Sequence, residues 1–78
     1  AETFGAVLRR RREAAGVSQE ALAAAAGLHR TYVSMLERGV RMPSILVSKQ
    51  LADALGATMA DLLGEVEREL VASPERKR

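Results

Sequence analysis

The side chains best suited to bind a polar partner lie together near the middle of the chain. At helical spacing, Arg30, Thr31 and Ser34 fall on or beside one face. Val33 and Leu36 point to the opposite side. An arginine carries five N–H donors and a permanent charge, and a hydroxyl group both donates and accepts hydrogen bonds. The spacing therefore predicts a helix with an apolar face for a core and a basic, hydrogen-bonding face for a partner.

The sequence lacks the side-chain groupings that catalysis or metal binding requires. It contains no cysteine and a single histidine, His29, which has no companion ligands at a workable spacing. Asp61 is explained by a capping box with Thr58, and the glutamates that follow it by helix solubility. We therefore expect no enzyme activity, no cofactor and no metal ion.

The charges are unevenly distributed along the chain. Residues 9–41 contain seven arginines and three glutamates, whereas residues 42–78 contain five basic and six acidic side chains. The basic excess thus coincides with the polar helical face described above. Such an excess is expected for a surface that meets phosphate groups.

Capping residues divide the chain into helices. Ser18 is a good N-cap for a helix over about 19–26, because its hydroxyl can accept from backbone N–H groups of the first turn. Gly27 can adopt the left-handed conformation that ends this helix. The other helices are predicted at about 4–15, 30–38, 45–55 and from 59 onward, three of them capped by Thr3, Ser44 and Thr58. This order predicts an all-α fold.

The combined motif resembles a known family. The pattern S-Q-E-x-L-A-x-x-x-G-L, then H-R-T-Y-V-S-x-L-E-R-G, then R-x-P-S, is similar to the helix-turn-helix family of the phage lambda and 434 repressors and Cro. The resemblance covers about Phe4 to Leu63. Within the family, the H-R-T-Y start and the short length are most similar to controller proteins of restriction–modification systems. The resemblance implies a compact, five-helix, lambda-repressor-like DNA-binding domain with an extended fifth helix.

The resemblance also implies roles for individual side chains. The helix over 30–38 would lie in the major groove, with Arg30 as the leading specificity residue, because arginine can donate twice to guanine O6 and N7. The candidate base contacts are Arg30, Thr31, Ser34 and Met35. The candidate contacts to the DNA backbone are Gln19, His29, Tyr32, Arg38 and Arg41. Tyr32 could instead be a core residue with a wet hydroxyl. Met42 replaces an asparagine frequent in relatives, which removes one possible hydrogen bond to phosphate.

The family motif also implies a contact between two helices. Arg12 and Glu37 are expected to form a partly buried, charge-assisted pair that ties the first helix to the third.

The expected core stripes of the first and fourth helices comprise Phe4, Val7, Leu8, Ala15, Ile45, Leu51, Ala52 and Leu55. Ser48 stands where relatives bury a larger apolar residue, while Leu46 and Val47 occupy usually polar positions. Either the fourth helix is rotated, or these residues form an apolar patch used for association.

The fifth helix keeps an apolar stripe beyond the expected core. Leu62 should pack inward, and Leu63, Val66 and Leu70 are expected to form a symmetric dimer interface. The alternative is a long helix that packs back on its own domain. We expect residues 1–72 to form one DNA-binding and dimerisation domain, and residues 73–78 to form a disordered basic tail.

These expectations combine into one functional hypothesis. The chain should be a transcriptional regulator that binds a pseudo-palindromic, double-stranded DNA operator as a homodimer. The resemblance to controller proteins implies control of a restriction–modification operon. An antitoxin-type protein with a protein partner on the C-terminal helix, or a protein-binding adaptor with the same fold, are the alternatives. No apolar run is long enough for a membrane span, so we expect a cytoplasmic protein of bacterial or phage origin.

Overall fold

The computed structural model describes residues 1–72 and contains five helices in this part of the chain. They are α1 (Glu2–Ala14), α2 (Gln19–Ala26), α3 (Arg30–Glu37), α4 (Ile45–Ala54) and α5 (Met59–Ala72). Strands are absent from residues 1–72, so the predicted all-α, five-helix fold is confirmed. The predicted tail over residues 73–78 lies outside the described residues. None of the five helices is long and apolar enough to cross a membrane.

Most of the helix starts follow from side-chain caps. The Ser18 hydroxyl accepts a hydrogen bond from the Ala21 backbone N–H over 3.0 Å, and Ser44 does the same for Val47 over 3.1 Å. Thr58 accepts from the Asp61 backbone N–H over 3.0 Å. The prediction that Thr3 caps α1 was wrong, because the helix begins at Glu2. A glutamate in the first turn interacts favourably with the helix dipole, which supports this earlier start.

The helices α1 and α3 approach each other closely at one glycine. A Cβ atom built on Gly5 would lie 2.6 Å from the backbone oxygen of Glu37. Real Cβ atoms do not come so near a carbonyl oxygen without a shift of the backbone. Gly5 therefore allows the start of α1 to lie directly against the last turn of α3.

The core forms where the apolar faces of all five helices meet. Its largest fully buried side chains are Val7, Leu8, Leu22, Val33, Leu36, Leu51 and Leu62. Two predicted core residues lie elsewhere. Ala15 is exposed because it follows the last residue of α1, and Ile45 is 74% exposed at the first position of α4.

Helix α4 is not rotated relative to the expected packing. Ser48 is only 4% exposed and faces the core, whereas Leu46 is 67% exposed. Val40, Met42, Ile45 and Leu46 are the exposed large apolar residues around the start of this helix. We refer to these four residues as the α4 apolar patch. Of the two residues expected to form an apolar patch, Leu46 is exposed, whereas Val47 is partly buried and packs against the core.

Ion pairs fasten α5 to α1. Arg11 Nε donates to Glu65 Oε1 over 2.6 Å, and Arg10 Nε donates to Glu65 Oε2 over 3.2 Å. Glu69 Oε2 lies 3.4 Å from Arg10 Nη2. The hydrogen bond from Arg10 lowers the pKa of the Glu65 carboxyl below its ordinary value, although burial acts in the opposite direction. The first half of α5 is thereby held by polar contacts as well as by Leu62 in the core.

Candidate nucleic-acid interface

Helix α3 separates its apolar residues from its polar residues. Val33 and Leu36 are fully buried in the core. Arg30 and Thr31 are exposed at the start of the helix, and Ser34 is half-buried beside them. Met35 is also half-buried, between the buried and exposed faces. The predicted base contacts therefore lie on the surface that the core leaves uncovered.

The turn between α2 and α3 fixes the relative position of the two helices. Gly27 has a φ angle of +72° and ends α2 in the left-handed conformation. The Leu28 backbone N–H then donates to the Ala23 carbonyl oxygen over 2.9 Å, and the Leu28 side chain packs against the core. His29 follows as the exposed capping residue of α3. This geometry places the exposed start of α3 next to a short, tightly fixed turn.

A hydrogen-bonded ion pair joins α1 to the end of α3. Arg12 Nε donates to Glu37 Oε2 over 2.6 Å, and Arg12 Nη2 donates to Glu37 Oε1 over 3.1 Å. The Glu37 side chain is 3% exposed and that of Arg12 is 13% exposed. Hydrogen bonding to Glu37 raises the pKa of the Arg12 guanidinium, although burial opposes this effect. Arg12 Nη1 also donates to the Val17 carbonyl oxygen over 2.9 Å, which ties the loop before α2 to the pair.

The same carboxylate also binds a residue that sequence reasoning assigned to DNA alone. Gln19 Nε2 donates to Glu37 Oε1 over 2.9 Å. Gln19 is half-buried at the first position of α2, and Glu37 is the last residue of α3. A contact between side chains on two different helices has no local sequence signal. Its only indication was that both residues belong to the motif that carries the family resemblance.

Arginines border α3 beyond its last turn. Arg38 and Arg41 are both exposed, on either side of Gly39 and Val40. The Arg41 guanidinium carbon lies 5.7 Å from the centroid of the Tyr32 ring, a cation–π distance. The Tyr32 ring is half-buried and packs against the core. The ring therefore packs inward, as the core interpretation predicts, and the residue remains partly accessible. A contact from its hydroxyl to a phosphate stays a prediction.

Residues 1–72 contain no group of three or more histidine, cysteine, aspartate or glutamate side chains that could hold a metal ion. The surface around α3 instead offers guanidinium, amide and hydroxyl groups. These groups donate hydrogen bonds to phosphate oxygens and to the acceptor atoms of base pairs. The side chains on this surface are thus of the types that suit recognition of a polar, anionic partner.

Comparisons with known sequences agree with this chemistry. A family model described as Helix-turn-helix matches residues 8–62. The control protein C.MunI from a Mycoplasma species is 37% identical over 67 residues, which cover 85% of this chain and 90% of the relative. The control protein C.BamHI from Bacillus amyloliquefaciens is 43% identical over 61 residues, or 77% of this chain and 75% of the relative.

Solved structures show the same architecture. The restriction–modification controller protein C.AhdI from Aeromonas hydrophila superposes with a TM-score of 0.76 and 44% sequence identity, covering 78% of this chain and 92% of that chain. The clp gene regulator ClgR from Corynebacterium glutamicum superposes with a TM-score of 0.83 and 36% identity, covering 92% and 94%. The sequence-based resemblance to repressors and controller proteins is confirmed. The chain belongs to the helix-turn-helix family of DNA-binding transcriptional regulators.

Proposed function

We propose that this protein binds a pseudo-palindromic DNA operator as a homodimer and regulates transcription from a nearby promoter. The observation that carries the proposal is the surface of α3, where Arg30 and Thr31 are exposed beside buried Val33 and Leu36. A helix of this kind fits the major groove of B-DNA, where each base pair presents a distinct pattern of donors and acceptors. The second helix of a helix-turn-helix motif is the one that enters this groove.

Sequence choice is assigned to the exposed face of α3. Arg30 is the leading candidate for a guanine, and the Thr31 methyl group can pack against a thymine methyl. Ser34 and Met35 are half-buried on the same side of α3 and would also contact bases. These four side chains together would determine which operator is bound.

Affinity is assigned to contacts with phosphates around α3. Arg38 and Arg41 are exposed just after the helix, and His29 is exposed just before it. Gln19 lies at the N-terminus of α2, where the helix dipole favours an anion. The Tyr32 hydroxyl is the remaining candidate for a phosphate oxygen. Contacts of the arginines should make affinity fall as salt rises, because counterions are released from the DNA.

Dimerisation would bring two copies of α3 into successive major grooves. Half-sites of such operators are separated by about one helical turn of DNA, roughly 34 Å. Leu63, Val66 and Leu70 of α5 are the proposed interface, although Leu63 and Val66 also pack partly against the core of their own domain. The α4 apolar patch is a second exposed apolar surface, and we include it in the proposed interface.

We base the proposed biological role of this protein on its named relatives. C.MunI and C.BamHI are control proteins, and C.AhdI is a restriction–modification controller protein. By analogy, this chain would regulate its own promoter together with that of a neighbouring restriction endonuclease gene. Such a regulator would act in the cytoplasm, on the nucleoid when bound to DNA.

Selection of bound sequences from a random duplex library, repeated at two salt concentrations, tests the proposal. We expect enrichment of a two-fold symmetric site and an affinity that falls as salt rises. Enrichment of an asymmetric site would contradict the homodimer. Binding without enrichment would reduce the activity to general phosphate affinity, and absence of binding at both salt concentrations would reject a DNA-binding role.

A further inference from the structure

The Glu37 carboxylate connects three helices. Its Oε2 atom accepts from Arg12 Nε, and its Oε1 atom accepts from both Arg12 Nη2 and Gln19 Nε2. Arg12 belongs to α1, Gln19 to α2 and Glu37 to α3. Both carboxylate oxygens are therefore occupied inside a nearly closed site, since the Glu37 side chain is 3% exposed.

This arrangement fixes the orientation of the Gln19 amide. A primary amide has two N–H donors on nitrogen and an acceptor oxygen on the other side of the group. A carboxylate can only accept, so a reversed amide would point its oxygen at Glu37 and lose the hydrogen bond. One N–H is thus committed to Glu37 over 2.9 Å, and the second N–H remains on the same nitrogen.

The orientation of the Gln19 amide determines what it can bind at the start of α2. Gln19 is the first residue of α2, where the backbone N–H groups and the helix dipole favour a negative charge. An amide nitrogen presented there adds a donor for an anion, whereas an amide oxygen would repel it. Arg12 neutralises the Glu37 carboxylate, so the charge that orients Gln19 does not itself repel a phosphate.

We propose that Glu37 is a positioning residue for DNA binding, whose carboxylate orients the Gln19 amide so that its second N–H donates to a backbone phosphate. This inference rests on the proposed DNA-binding function and deepens it. The ion pair between Arg12 and Glu37 then has two roles: it joins α1 to α3, and it keeps the phosphate donor on α2 in one orientation.

The test requires a variant that removes the acceptor while leaving the domain folded. Replacing only Glu37 would leave Arg12 as an unpaired charge in the interior, which is strongly destabilising. The double substitution Arg12→Met and Glu37→Met removes both charges and keeps side chains of similar length. Replacement of a buried ion pair by apolar residues is often neutral or stabilising. Gln19→Ala, made in the wild-type protein and in the double variant, completes a thermodynamic cycle.

The measured quantity is the Kd for the selected operator, with the folded fraction of each variant determined by circular dichroism. Gln19→Ala should weaken binding about tenfold, as expected for loss of a hydrogen bond to a charged group. The Arg12→Met/Glu37→Met variant should show a similar loss, and Gln19→Ala should then add nothing further. The salt dependence should not change, because Gln19 is uncharged, whereas Arg41→Ala should reduce it.

Two results would overturn the proposal. The first is wild-type affinity in the folded Arg12→Met/Glu37→Met variant. The second is a full additional loss when Gln19→Ala is added to that variant, since the two substitutions would then act independently. A purely structural ion pair predicts both results. Wild-type protein that selects no DNA sequence would instead reject the proposed function, which is a distinguishable outcome.

Nuclear magnetic resonance of the wild-type protein gives a second measurement if the double variant does not fold. We expect the Gln19 side-chain amide proton bonded to Glu37 to exchange slowly with solvent, both in the free protein and in the complex with the operator. On DNA binding, the resonance of the second Nε2 proton should shift while that of the proton bonded to Glu37 stays in place. Rapid exchange of both protons, or equal shifts of both, would contradict a fixed amide.

Discussion

The guanidinium of Arg41 lies over the ring of Tyr32, 5.7 Å from its centroid. Tyr32 belongs to α3, whereas Arg41 belongs to the loop that leads to α4. The contact therefore connects a proposed base-reading helix with a proposed phosphate-binding loop. It also means that substitution of Tyr32 has two separable effects, one through its hydroxyl and one through its ring.

A series at position 32 separates these effects. Tyr32→Phe removes only the hydroxyl, and we expect operator affinity to fall about two- to tenfold through loss of one hydrogen bond. Tyr32→Leu also removes the ring, and should weaken binding by a further factor of about two to five. This second loss should vanish in an Arg41→Ala background. Equal affinity of the Phe variant and the wild type would reject a phosphate contact from the hydroxyl.

Arg30 should contribute to sequence specificity, whereas Arg41 should contribute to the affinity for any DNA sequence. Arg30→Ala should cost about 1 to 3 kcal/mol of operator binding and relax the choice of base at one position of each half-site. Arg41→Ala should weaken binding to all sequences and lower the slope of log Kd against log salt by about one. Binding titrations with matched and mismatched operators at several salt concentrations measure both effects. Unchanged specificity in Arg30→Ala would remove Arg30 from the base-reading surface.

Self-association should depend on α5 and on the α4 apolar patch. Leu70→Asp and Leu46→Asp each place a charge on apolar surface, so we expect sedimentation to shift towards the monomer. Ala72→Asp is the matched control, because this exposed position lies on the other side of α5 from Leu70. A dimer that persists in Leu70→Asp would reject the α5 stripe, and one that persists in Leu46→Asp would exclude the patch from the interface. Val66→Asp is less informative, since Val66 also packs against its own core.

Two glycines in helices should respond oppositely to alanine. In Gly5→Ala the new methyl group would lie 2.6 Å from the Glu37 carbonyl oxygen, so α1 and α3 must move apart. We expect a loss of about 1 to 3 kcal/mol in the free energy of unfolding. In Gly64→Ala the nearest atom is Arg68 Nη1 at 3.6 Å, an ordinary contact. That substitution should add roughly 0.5 to 1 kcal/mol. Urea unfolding measures both, and a stable Gly5→Ala variant would contradict the close approach.

The attachment of α5 to α1 should weaken in acid. The pKa of Glu65 is lowered in the folded protein, so its stabilising effect is present above the pKa of the unfolded state and is lost as pH falls through the folded value. We expect wild-type protein to melt at a higher temperature than Glu65→Gln near neutral pH. The difference should shrink as pH falls below the ordinary glutamate pKa of about 4.3, and disappear below the lowered pKa of the folded protein. A difference that is constant with pH would exclude ionisation of Glu65 as its cause.

Local rules were sufficient for most of the helix boundaries. Ser18 and Ser44 cap helices as predicted because their hydroxyl groups act within one turn. The amphipathic spacing of α3 likewise predicts its buried residues, Val33 and Leu36. Ile45 illustrates the limit of such reasoning. Its apolar character suggested the core, but it lies at the first position of α4, before the helix reaches its neighbours.

Contacts between distant side chains depended on the family resemblance or were missed. The pairing of Arg12 with Glu37 was expected from the positions of these residues in the motif. The hydrogen bond from Gln19 to Glu37 and the ion pairs of Glu65 were not expected. These contacts depend on the angle and distance at which helices pack, and the periodicity of a single helix contains neither quantity.

The ion pairs between α1 and α5 affect how the salt dependence of DNA binding should be interpreted. Salt weakens contacts between proteins and phosphates, but it also screens exposed pairs such as Arg10 with Glu69. Because α5 carries part of the proposed dimer interface, added salt would loosen its attachment and shift the monomer–dimer equilibrium as well. A titration that starts from monomers would then report a steeper salt dependence than the number of DNA phosphates contacted. The salt dependence measured with a covalently linked dimer would give the number of DNA phosphates contacted.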